Sequence, residues 1–249
     1  MTFLQKKYQS IIIERGQKME LSIRLKAIAN QVDKCKSVAD IGTDHGYIPI
    51  YLVERGVCER AVASDINKGP INKAKKNISI EGLSKKIDCY LGPGLKPLKV
   101  NEVDGIVIAG MGGNLTRDIL LADMKKVEKY DFMILQPAQN PEVLREFLYN
   151  NEYEIIDEDL ILDEGTYYEL FKVKYNKRAE VLKFEDDLLY EISPVLLKKK
   201  HPLINDYIDA KISKCEKILT HIKDNTDSAN AKKDEIKNKI NELEKLKIK

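Results

Sequence analysis

The residues best suited to chemistry lie in one stretch, residues 38–50, whose sequence is VADIGTDHGYIPI. Gly42 and Gly46 permit a sharp turn and a close approach of the backbone to a ligand, at which helix-terminal N–H groups can point. The spacing D-x-G-x-x-x-G departs from the G-x-G-x-x-G of dinucleotide folds. Asp40 and Asp44 make the loop acidic, which disfavours a pyrophosphate and favours amino, sulfonium or ribose hydroxyl groups. We therefore predict S-adenosylmethionine ahead of NAD, with a purely structural strand–turn–helix as the alternative.

An acidic residue at the end of a second strand would complete such a site. Asp65 follows the short apolar run of residues 61–64. It stands roughly 20 residues beyond the glycine loop, where α/β cofactor folds place the carboxylate that binds ribose hydroxyls. A solvated strand end or a helix cap is the alternative role of Asp65.

Two further glycine turns could border the same ligand. Residues 92–94 read Gly-Pro-Gly, and residues 110–113 read Gly-Met-Gly-Gly. The first is also compatible with an ordinary turn. The second leaves little side-chain bulk, so a flat base could approach backbone donors and carbonyls there.

A parallel sheet would bring these turns together. The run GIVIA at residues 105–109 is the most apolar in the chain, which predicts a central strand buried on both faces. Other apolar runs predict strands at residues 38–41, 61–64, 87–91 and 132–135, and helices that begin near residues 21, 46, 70, 115 and 142. Ser22 and Asn140 are expected to cap the first and the last of these helices.

Two alternating runs, residues 153–162 and 167–173, predict an antiparallel hairpin after these elements. Five β–α units followed by a hairpin predict an α/β fold, the class I (Rossmann-like) seven-stranded methyltransferase sheet. Ligands of such sheets bind at the carboxyl ends of the strands, where the three glycine turns would converge.

Composition limits the other possibilities. With 249 residues, 43% of them hydrophobic, the chain can bury one full core and still form an appendage. The formal net charge of +2 neither requires nor excludes a nucleic-acid partner. The four cysteines include no C-x-x-C pair, so we expect no metal, no disulfide framework and a reducing cytoplasm. No apolar run approaches the roughly 20 residues of a bilayer span, and signal-peptide features are missing at the N-terminus.

The chain is expected to have three parts. Residues 1–18 form an N-terminal extension: either an additional strand or helix or, as we favour, translated upstream sequence before a native start at Met19. Residues 19–176 form the class I domain. Residues 177–249 carry 17 basic and 14 acidic residues, with apolar residues at helical spacing, which predicts a coiled-coil-like helical hairpin. This arm is either a packing or oligomerisation device or a grip for a long polyanion, bound at Lys198, Lys199 and Lys200.

Several motifs, taken in order, resemble those of a known family. DIGTDHGYIP, SDIN, IVIAGMGG, ILQP and YYEL are similar to motifs of the bacterial TrmK family, tRNA adenine N1-methyltransferases that act at position 22. The resemblance runs from Met19 to about Tyr175, and a helical C-terminal arm is also a feature of that family. It implies S-adenosylmethionine as cofactor, tRNA as partner and 1-methyladenosine as product.

The resemblance also implies roles for individual residues. The methionine end of the cofactor would be lined by Asp40, Gly42, Thr43, Asp44 and Gly46. Its ribose and adenine would be held by Asp65, Ile66 and Asn67, beside Gly92 and Gly94. The methyl-transfer point would be bordered by Gly110, Met111 and Gly112. The chain departs from the family pattern at Pro93, where an Asp or Asn is frequent, and at Ala138, where an Asn often follows the Gln-Pro.

The implied substrate limits the chemistry that is needed. Adenine N1 can attack the sulfonium methyl without first losing a proton, so alignment could supply about 7–11 kcal/mol of the barrier reduction. A general base could accept a proton from the exocyclic amine, and Asp44 and His45 are the candidates. The alternative role of His45 is to fix the loop backbone. If the adenine is paired in folded tRNA, it must also be flipped out.

Two other functions stay open at this point. One is a methyltransferase for another RNA or for a small molecule. The other is a non-catalytic RNA-binding protein that retains the methyltransferase fold. A cytoplasmic monomer is favoured, although the sequence does not determine the oligomeric state.

Overall fold

The computed structural model describes residues 20–224 and 226–248. The expected extension at residues 1–18 and the expected start at Met19 lie outside the described residues. The strands are β1 (Cys35–Ile41), β2 (Cys58–Asp65), β3 (Ile87–Leu91), β4 (Gly105–Gly112), β5 (Phe132–Gln139), β6 (Tyr153–Asp163) and β7 (Thr166–Tyr175). They form one seven-stranded sheet in the order β3-β2-β1-β4-β5-β7-β6.

In sheet order, the first five strands (β3, β2, β1, β4 and β5) pair in parallel. β7 is antiparallel to both of its neighbours, β5 and β6. The β6–β7 hairpin closes through Glu164 and Gly165, whose φ angles are +49° and +74°. Two consecutive positive φ angles are what a type I′ two-residue hairpin loop requires. The predicted sheet and its terminal hairpin are therefore confirmed.

The helices are α1 (Ile23–Asn30), α2 (Tyr47–Glu54), α3 (Lys68–Ile80), α4 (Gly113–Ala122), α5 (Met124–Val127), α6 (Pro141–Tyr149), α7 (Leu188–Glu191), α8 (Pro194–Lys198), α9 (Ile204–His221) and α10 (Asp227–Leu246). Ser22 caps α1 as predicted, since its hydroxyl oxygen accepts a hydrogen bond from the Leu25 N–H at 3.3 Å. Asn140 takes the N-cap position of α6 at a φ of +52° but makes no side-chain cap hydrogen bond. Its predicted capping bond is therefore wrong.

Other local predictions also need correction. Five β–α units are not formed, because within the described residues no α-helix joins β3 to β4. Pro93 and Pro97 lie in this connection and disfavour a regular helix. β4 and β5 extend beyond their predicted ends because an irregular ladder still pairs Met111 with Pro137. The glycine turn after residue 109 is thus a bulged continuation of β4.

Two apolar cores cover the two faces of the sheet. Ile28 of α1 and Ile50 of α2 pack on one face, together with α3. Leu120 of α4 and Leu144 of α6 pack on the other face. Residues 106–108 of β4 are all 0% exposed, as predicted for a central parallel strand.

The C-terminal arm is an antiparallel helical hairpin. The Asn205 side chain exchanges two hydrogen bonds of 2.9 Å with the Ile248 backbone, and Lys247 pairs with Asp209 at 2.5 Å, so the start of α9 meets the end of α10. A third apolar core joins the arm to β6. The coiled-coil character of the hairpin stays a prediction. In the described ranges, no helix combines the length and apolar character needed to cross a membrane.

A buried ionic cluster links the arm to the sheet. Arg145 of α6 is 0% exposed and donates to Glu158 Oε2 at 3.0 Å, to Glu169 Oε2, and to the Tyr190 carbonyl oxygen at 2.6 Å. The Tyr207 hydroxyl of α9 donates to Glu169 Oε1 at 2.5 Å. Burial alone would lower the pKa of Arg145, but the charges of Glu158 and Glu169 more than offset this effect and raise it. Five elements, α6, α7, α9, β6 and β7, therefore contribute groups to one buried ionic cluster.

Candidate active site

The loop after β1 is fixed by short-range hydrogen bonds. The Gly42 and Thr43 N–H groups donate to the Ser64 carbonyl oxygen at 2.7 and 2.9 Å, and the Gly46 N–H donates to Thr43 Oγ1 at 3.1 Å. Gly42 and Gly46 have φ angles of +81° and +72°, at which a side chain would be strained. The predicted glycine turn is therefore a defined cradle at the carboxyl end of β1.

The β1 loop touches the bulged end of β4. A Cβ atom at Gly42 would lie 2.2 Å from Met111 Cε, so the terminal methyl group of Met111 lies directly against Gly42. The residues predicted for the methionine end of the cofactor are thus direct neighbours of those predicted for the methyl-transfer point.

Asp40 is a buried acid at the end of β1, with 7% of its surface exposed. Burial is the largest cause that raises its pKa to about 6; the hydrogen bond with Thr43 opposes this rise, and the charge of Asp65 adds to it. Among the described residues no cationic side chain pairs with Asp40. An incoming amino or sulfonium group would supply the missing positive charge.

The end of β2 brings three further predicted residues together. Asp65 Oδ1 accepts a hydrogen bond from the Asn67 N–H at 2.6 Å, and the Asp65 carbonyl oxygen accepts one from the Gly92 N–H at 2.9 Å. Ile66, between the two polar residues, is 62% exposed. The turn at residues 92–94 is thereby attached to the end of β2, beside an apolar surface on which a base can lie.

Asp44 and His45 form a pair on the outer side of the loop. His45 Nε2 lies 3.1 Å from Asp44 Oδ2, and Lys73 of α3 lies 3.6 Å from Asp44 Oδ1. The His45 ring stacks on Tyr47 at a centroid distance of 5.0 Å, and its carbonyl oxygen accepts from Asn77 Nδ2 at 3.0 Å. These contacts run to α2 and α3.

The bulged end of β4 has a strict need for glycine. Gly110 has a φ of +79°, and a Cβ at Gly113 would lie 2.1 Å from the Asn140 carbonyl oxygen. Because that neighbour is backbone, it cannot move aside without displacing the end of β5. A Cβ at Gly112 would meet no atom within 4 Å, so there is open space beside Met111.

Three residues at this edge have no role in the sequence-based prediction. Arg24 of α1 donates from Nη1 to Gln136 Oε1 at 2.7 Å, and its guanidinium lies 5.3 Å from the centroid of the Tyr168 ring. Gln136 is 0% exposed, and its Nε2 donates to the Pro137 carbonyl oxygen at 2.8 Å. The sequence does mark Gln136 and Tyr168, which lie in the motifs ILQP and YYEL, but it does not mark Arg24, which lies 112 positions from Gln136.

The structure separates the lysines predicted to bind RNA from the site just described. Lys199 Nζ lies 3.0 Å from Asp157 Oδ1 and donates to the Glu158 carbonyl oxygen, so it is attached to β6, the outermost strand. Lys198 and Lys200 flank it; Lys200 is exposed and has a φ of +50°.

The residues at the carboxyl edge of the sheet fit S-adenosylmethionine. Asp40 offers negative charge, and the space that a side chain at Gly110 would fill is open, with Arg24 Nη1 as its nearest neighbour. Asp65 has a second carboxylate oxygen for ribose hydroxyls, and Ile66 offers an apolar surface to the adenine. In the part of the chain that the structure describes, no cluster of three metal-ligating side chains occurs.

Comparison with known proteins points to one family. The family profile described as "TrmK: tRNA (adenine(22)-N(1))-methyltransferase" matches residues 38–245. The tRNA (adenine(22)-N(1))-methyltransferase of Bacillus subtilis strain 168 is 37% identical over 160 residues, which cover 64% of this chain and 67% of the relative.

Solved structures are similar over most of the chain. M. capricolum TrmK in complex with S-adenosyl-homocysteine has a TM-score of 0.75 and 33% identity, and the match covers 90% of this chain and 96% of that one. Streptococcus pneumoniae Sp1610 in complex with S-adenosyl-L-methionine has a TM-score of 0.80 and 29% identity, over 91% of this chain and 99% of that one.

Proposed function

The chain belongs to the TrmK family of tRNA (adenine(22)-N(1))-methyltransferases, and we propose that it transfers a methyl group from S-adenosylmethionine to N1 of adenine 22 in tRNA. The observation that carries this proposal is the contact between the acidic loop after β1 and the glycine bulge of β4. It lies at the carboxyl edge, where sheets of this class bind their ligands. Relatives solved with S-adenosyl-L-methionine or S-adenosyl-homocysteine support the choice of cofactor.

The bound cofactor supplies an electrophilic methyl group on a sulfonium. Asp40 faces its positive charge, and the cradle of Gly42, Thr43, Asp44 and Gly46 surrounds its methionine end. Asp65 binds the ribose hydroxyls, and Ile66 and Asn67 lie against the adenine, with Gly92 and Gly94 at the border. These assignments follow from the family motifs together with the proximity of the three loops.

Alignment of the target base falls to the β4 bulge and to Arg24. The space beside Gly110, Met111 and Gly112 admits a flat base with its N1 lone pair in line with the methyl group. Arg24 Nη1 would lie 3.7 Å from a Cβ at Gly110, and Gln136 and Tyr168 hold it there. The Arg24 backbone N–H donates to Asp163 Oδ2 at 3.2 Å, but its guanidinium pairs with no carboxylate among the described residues, so it can bind the phosphate of the incoming nucleotide.

Asp44 and His45 stay the candidates for a general base. Their contacts lie on the β2 side of β1, towards α3, whereas the β4 bulge lies on the opposite side of β1. This arrangement favours a positioning role, in which the pair shapes the cofactor loop. Because N1 needs no prior deprotonation, the reaction does not depend on a base at this place.

Mapping of the product tests the proposed function. A tRNA transcript incubated with the protein and S-adenosylmethionine is expected to contain 1-methyladenosine at position 22, found by nuclease digestion and mass spectrometry. A matched transcript with guanine at position 22 is expected to stay unmodified. Methylation at another nucleotide, or none in the first transcript despite cofactor binding, would overturn the proposal.

Charge reversal tests the proposed RNA contacts of the arm. Lys198→Glu with Lys200→Glu is expected to weaken tRNA binding and to reduce the slope of its salt dependence by about one per lost phosphate contact, with cofactor affinity unchanged. Lys199→Glu serves as a structural comparison and is expected to lower the melting temperature, because Lys199 is bonded to β6. Unchanged tRNA affinity in the double variant would instead make the arm a packing device.

We also propose that the protein acts in the cytoplasm as a monomer. Action on tRNA agrees with that compartment, and all four cysteines are unpaired thiols. Burial raises the pKa of Cys58 to about 12, which keeps this thiol protonated and unreactive. Sedimentation equilibrium would measure the oligomeric state.

A further inference from the structure

A pocket of about 290 Å³ lies between the sheet domain and the arm. Residues 137–142 form one wall, Tyr167 and Glu169 of β7 form the floor, and Tyr207, Lys211 and Lys214 of α9 form the other wall. We call it the α6–α9 pocket. Its volume is at the lower end of the range of small-ligand sites.

The pocket carries two lysines without acidic partners. Neither Lys211 nor Lys214 forms an ion pair with a carboxylate in residues 20–224 and 226–248. Lys211 Nζ lies 5.0 Å from the centroid of the Tyr207 ring, and Lys214 is exposed. Three residues apart on α9, the two ammonium groups lie on neighbouring positions of one helix face. They can therefore bind the same anionic group.

Aromatic and helix-terminal groups complete the lining. The Tyr167 and Tyr207 rings meet at a centroid distance of 5.3 Å and an angle of 55°, and the Tyr167 ring is only partly buried. The N-terminus of α6 opens on the same pocket, and its N-cap residue Asn140 makes no side-chain cap bond.

Two of the four acidic residues near the pocket have partners of their own. Glu169 accepts hydrogen bonds from Arg145 and Tyr207, and Asp209 pairs with Lys247. Glu142 lines the pocket mouth in the first turn of α6, and Asp206 lies near Tyr167. The lining thus combines aromatic rings and cations with acids that are partly neutralised, as expected for a nucleotide rather than for a free inorganic anion.

The position of the pocket connects it to the methyl-transfer point. Pro137 pairs with Met111 in the β4–β5 ladder, and the Asn140 carbonyl oxygen abuts Gly113. The strand segment that forms one wall of the pocket therefore also borders the β4 bulge. A nucleotide next to the target adenosine can reach the pocket while the target base lies at Met111.

We propose that the α6–α9 pocket binds a nucleotide of the substrate tRNA adjacent to the methylated adenosine, with Lys211 and Lys214 on its phosphate and the Tyr167 ring against its base. The inference rests on the proposed function, because it takes tRNA as the substrate. It assigns to the arm a contact close to the reacting base. This contact is distinct from the one predicted for the lysines at residues 198–200, which lie beside β6.

The test compares two double variants with equal loss of charge. Lys211→Ala with Lys214→Ala is expected to raise the tRNA dissociation constant about tenfold or more and to lower the slope of its salt dependence by about one to two. The control is Lys232→Ala with Lys237→Ala on α10, where both lysines pair within their own helix with Glu235 and Asp234; it is expected to stay close to wild type. Cofactor affinity is expected to be unchanged in both.

A second pair of variants tests the stacking contact. Tyr167→Leu is expected to raise the Michaelis constant for tRNA about tenfold, whereas Tyr167→Phe retains the ring and is expected to match wild type. Melting temperatures of both variants show whether a loss reflects unfolding.

The outcomes separate the inference from the function on which it rests. Equal tRNA affinity in the two lysine double variants would overturn the pocket assignment, while a wild-type protein that methylates adenine 22 would leave the function intact. A wild-type protein that makes no 1-methyladenosine would overturn the function. In that case, the tRNA dissociation constants of the two lysine double variants would still decide whether the pocket binds RNA.

Discussion

Arg145→Met is expected to lower the free energy of unfolding by about 3–5 kcal/mol. The substitution removes the buried guanidinium that neutralises Glu158 and Glu169, whose side chains are 1% and 2% exposed. Two uncompensated carboxylates would stay in a place from which water is excluded. Urea denaturation followed by circular dichroism would measure the loss. Where the variant is still folded, we expect weaker tRNA binding at unchanged cofactor affinity, because the cluster positions α9.

Arg60→Met provides the matched control for this prediction. Arg60 pairs with Asp88 at 3.1 Å, but both side chains are largely exposed, so its loss is expected to change the free energy of unfolding by less than about 1 kcal/mol. Replacing Glu158 and Glu169 by Gln in the Arg145→Met background is expected to recover part of the stability. Equal destabilisation by Arg145→Met and Arg60→Met would show that the buried cluster contributes no more than a surface pair.

Asp40→Asn is expected to weaken S-adenosylmethionine binding by about ten- to hundredfold at pH 7. The same change is expected to stabilise the protein without cofactor. Burial raises the pKa of Asp40 from 3.8 to about 6, so its contribution to stability is complete below pH 3.8 and is lost as the pH rises through 6. Above pH 6, the charged and buried Asp40 carboxylate therefore lowers the free energy of unfolding by about 3 kcal/mol. A higher melting temperature with poorer binding would mark Asp40 as a binding residue rather than a structural one.

The pH dependence of binding gives a second readout for Asp40. A bound cation favours the charged carboxylate, so wild-type affinity is expected to fall as the pH drops below about 6, and Asp40→Asn is expected to lose this dependence. Asp88→Asn makes the same chemical change at an exposed position and is expected to retain wild-type binding at each pH. Isothermal titration calorimetry between pH 5 and 8 measures all three proteins. A parallel pH profile in wild type and Asp40→Asn would contradict the assignment.

Local sequence patterns predicted the fold well wherever a strand is short and apolar. Residues 87–91 form β3 with the predicted bounds, and Asp65 ends β2 as expected. One error, the helix expected between β3 and β4, overlooks a local signal, Pro93 and Pro97. Others lie where residues distant in the sequence come into contact. α4 begins at Gly113, two residues earlier than its pattern suggests, and the Asn140 backbone, which leaves room only for a glycine at this position, is distant in the sequence.

The sequence suggests candidate residues only for the cofactor half of the site, and their roles stay predictions. The acidic and glycine residues that follow β1, β2 and β4 are visible in the sequence because their types and spacing are unusual. Arg24 and Lys211 are ordinary basic residues on amphipathic helices, and their relevance depends on what the fold places beside them. Gln136 could be noticed after its apolar strand, but its role needs Arg24, which the sequence does not pair with it.

The attachment of Lys199 to β6 also affects how the protein behaves at high concentration. Among the described residues, β6 pairs with β7 alone, so its other side presents N–H and carbonyl groups to which a strand of another molecule could add. Lys199 bonds to Asp157 and to the Glu158 carbonyl oxygen, and His201 lies 2.9 Å from Asp159. The segment with Lys199 and His201 thus covers part of the open edge of the sheet, an arrangement that disfavours edge-to-edge pairing.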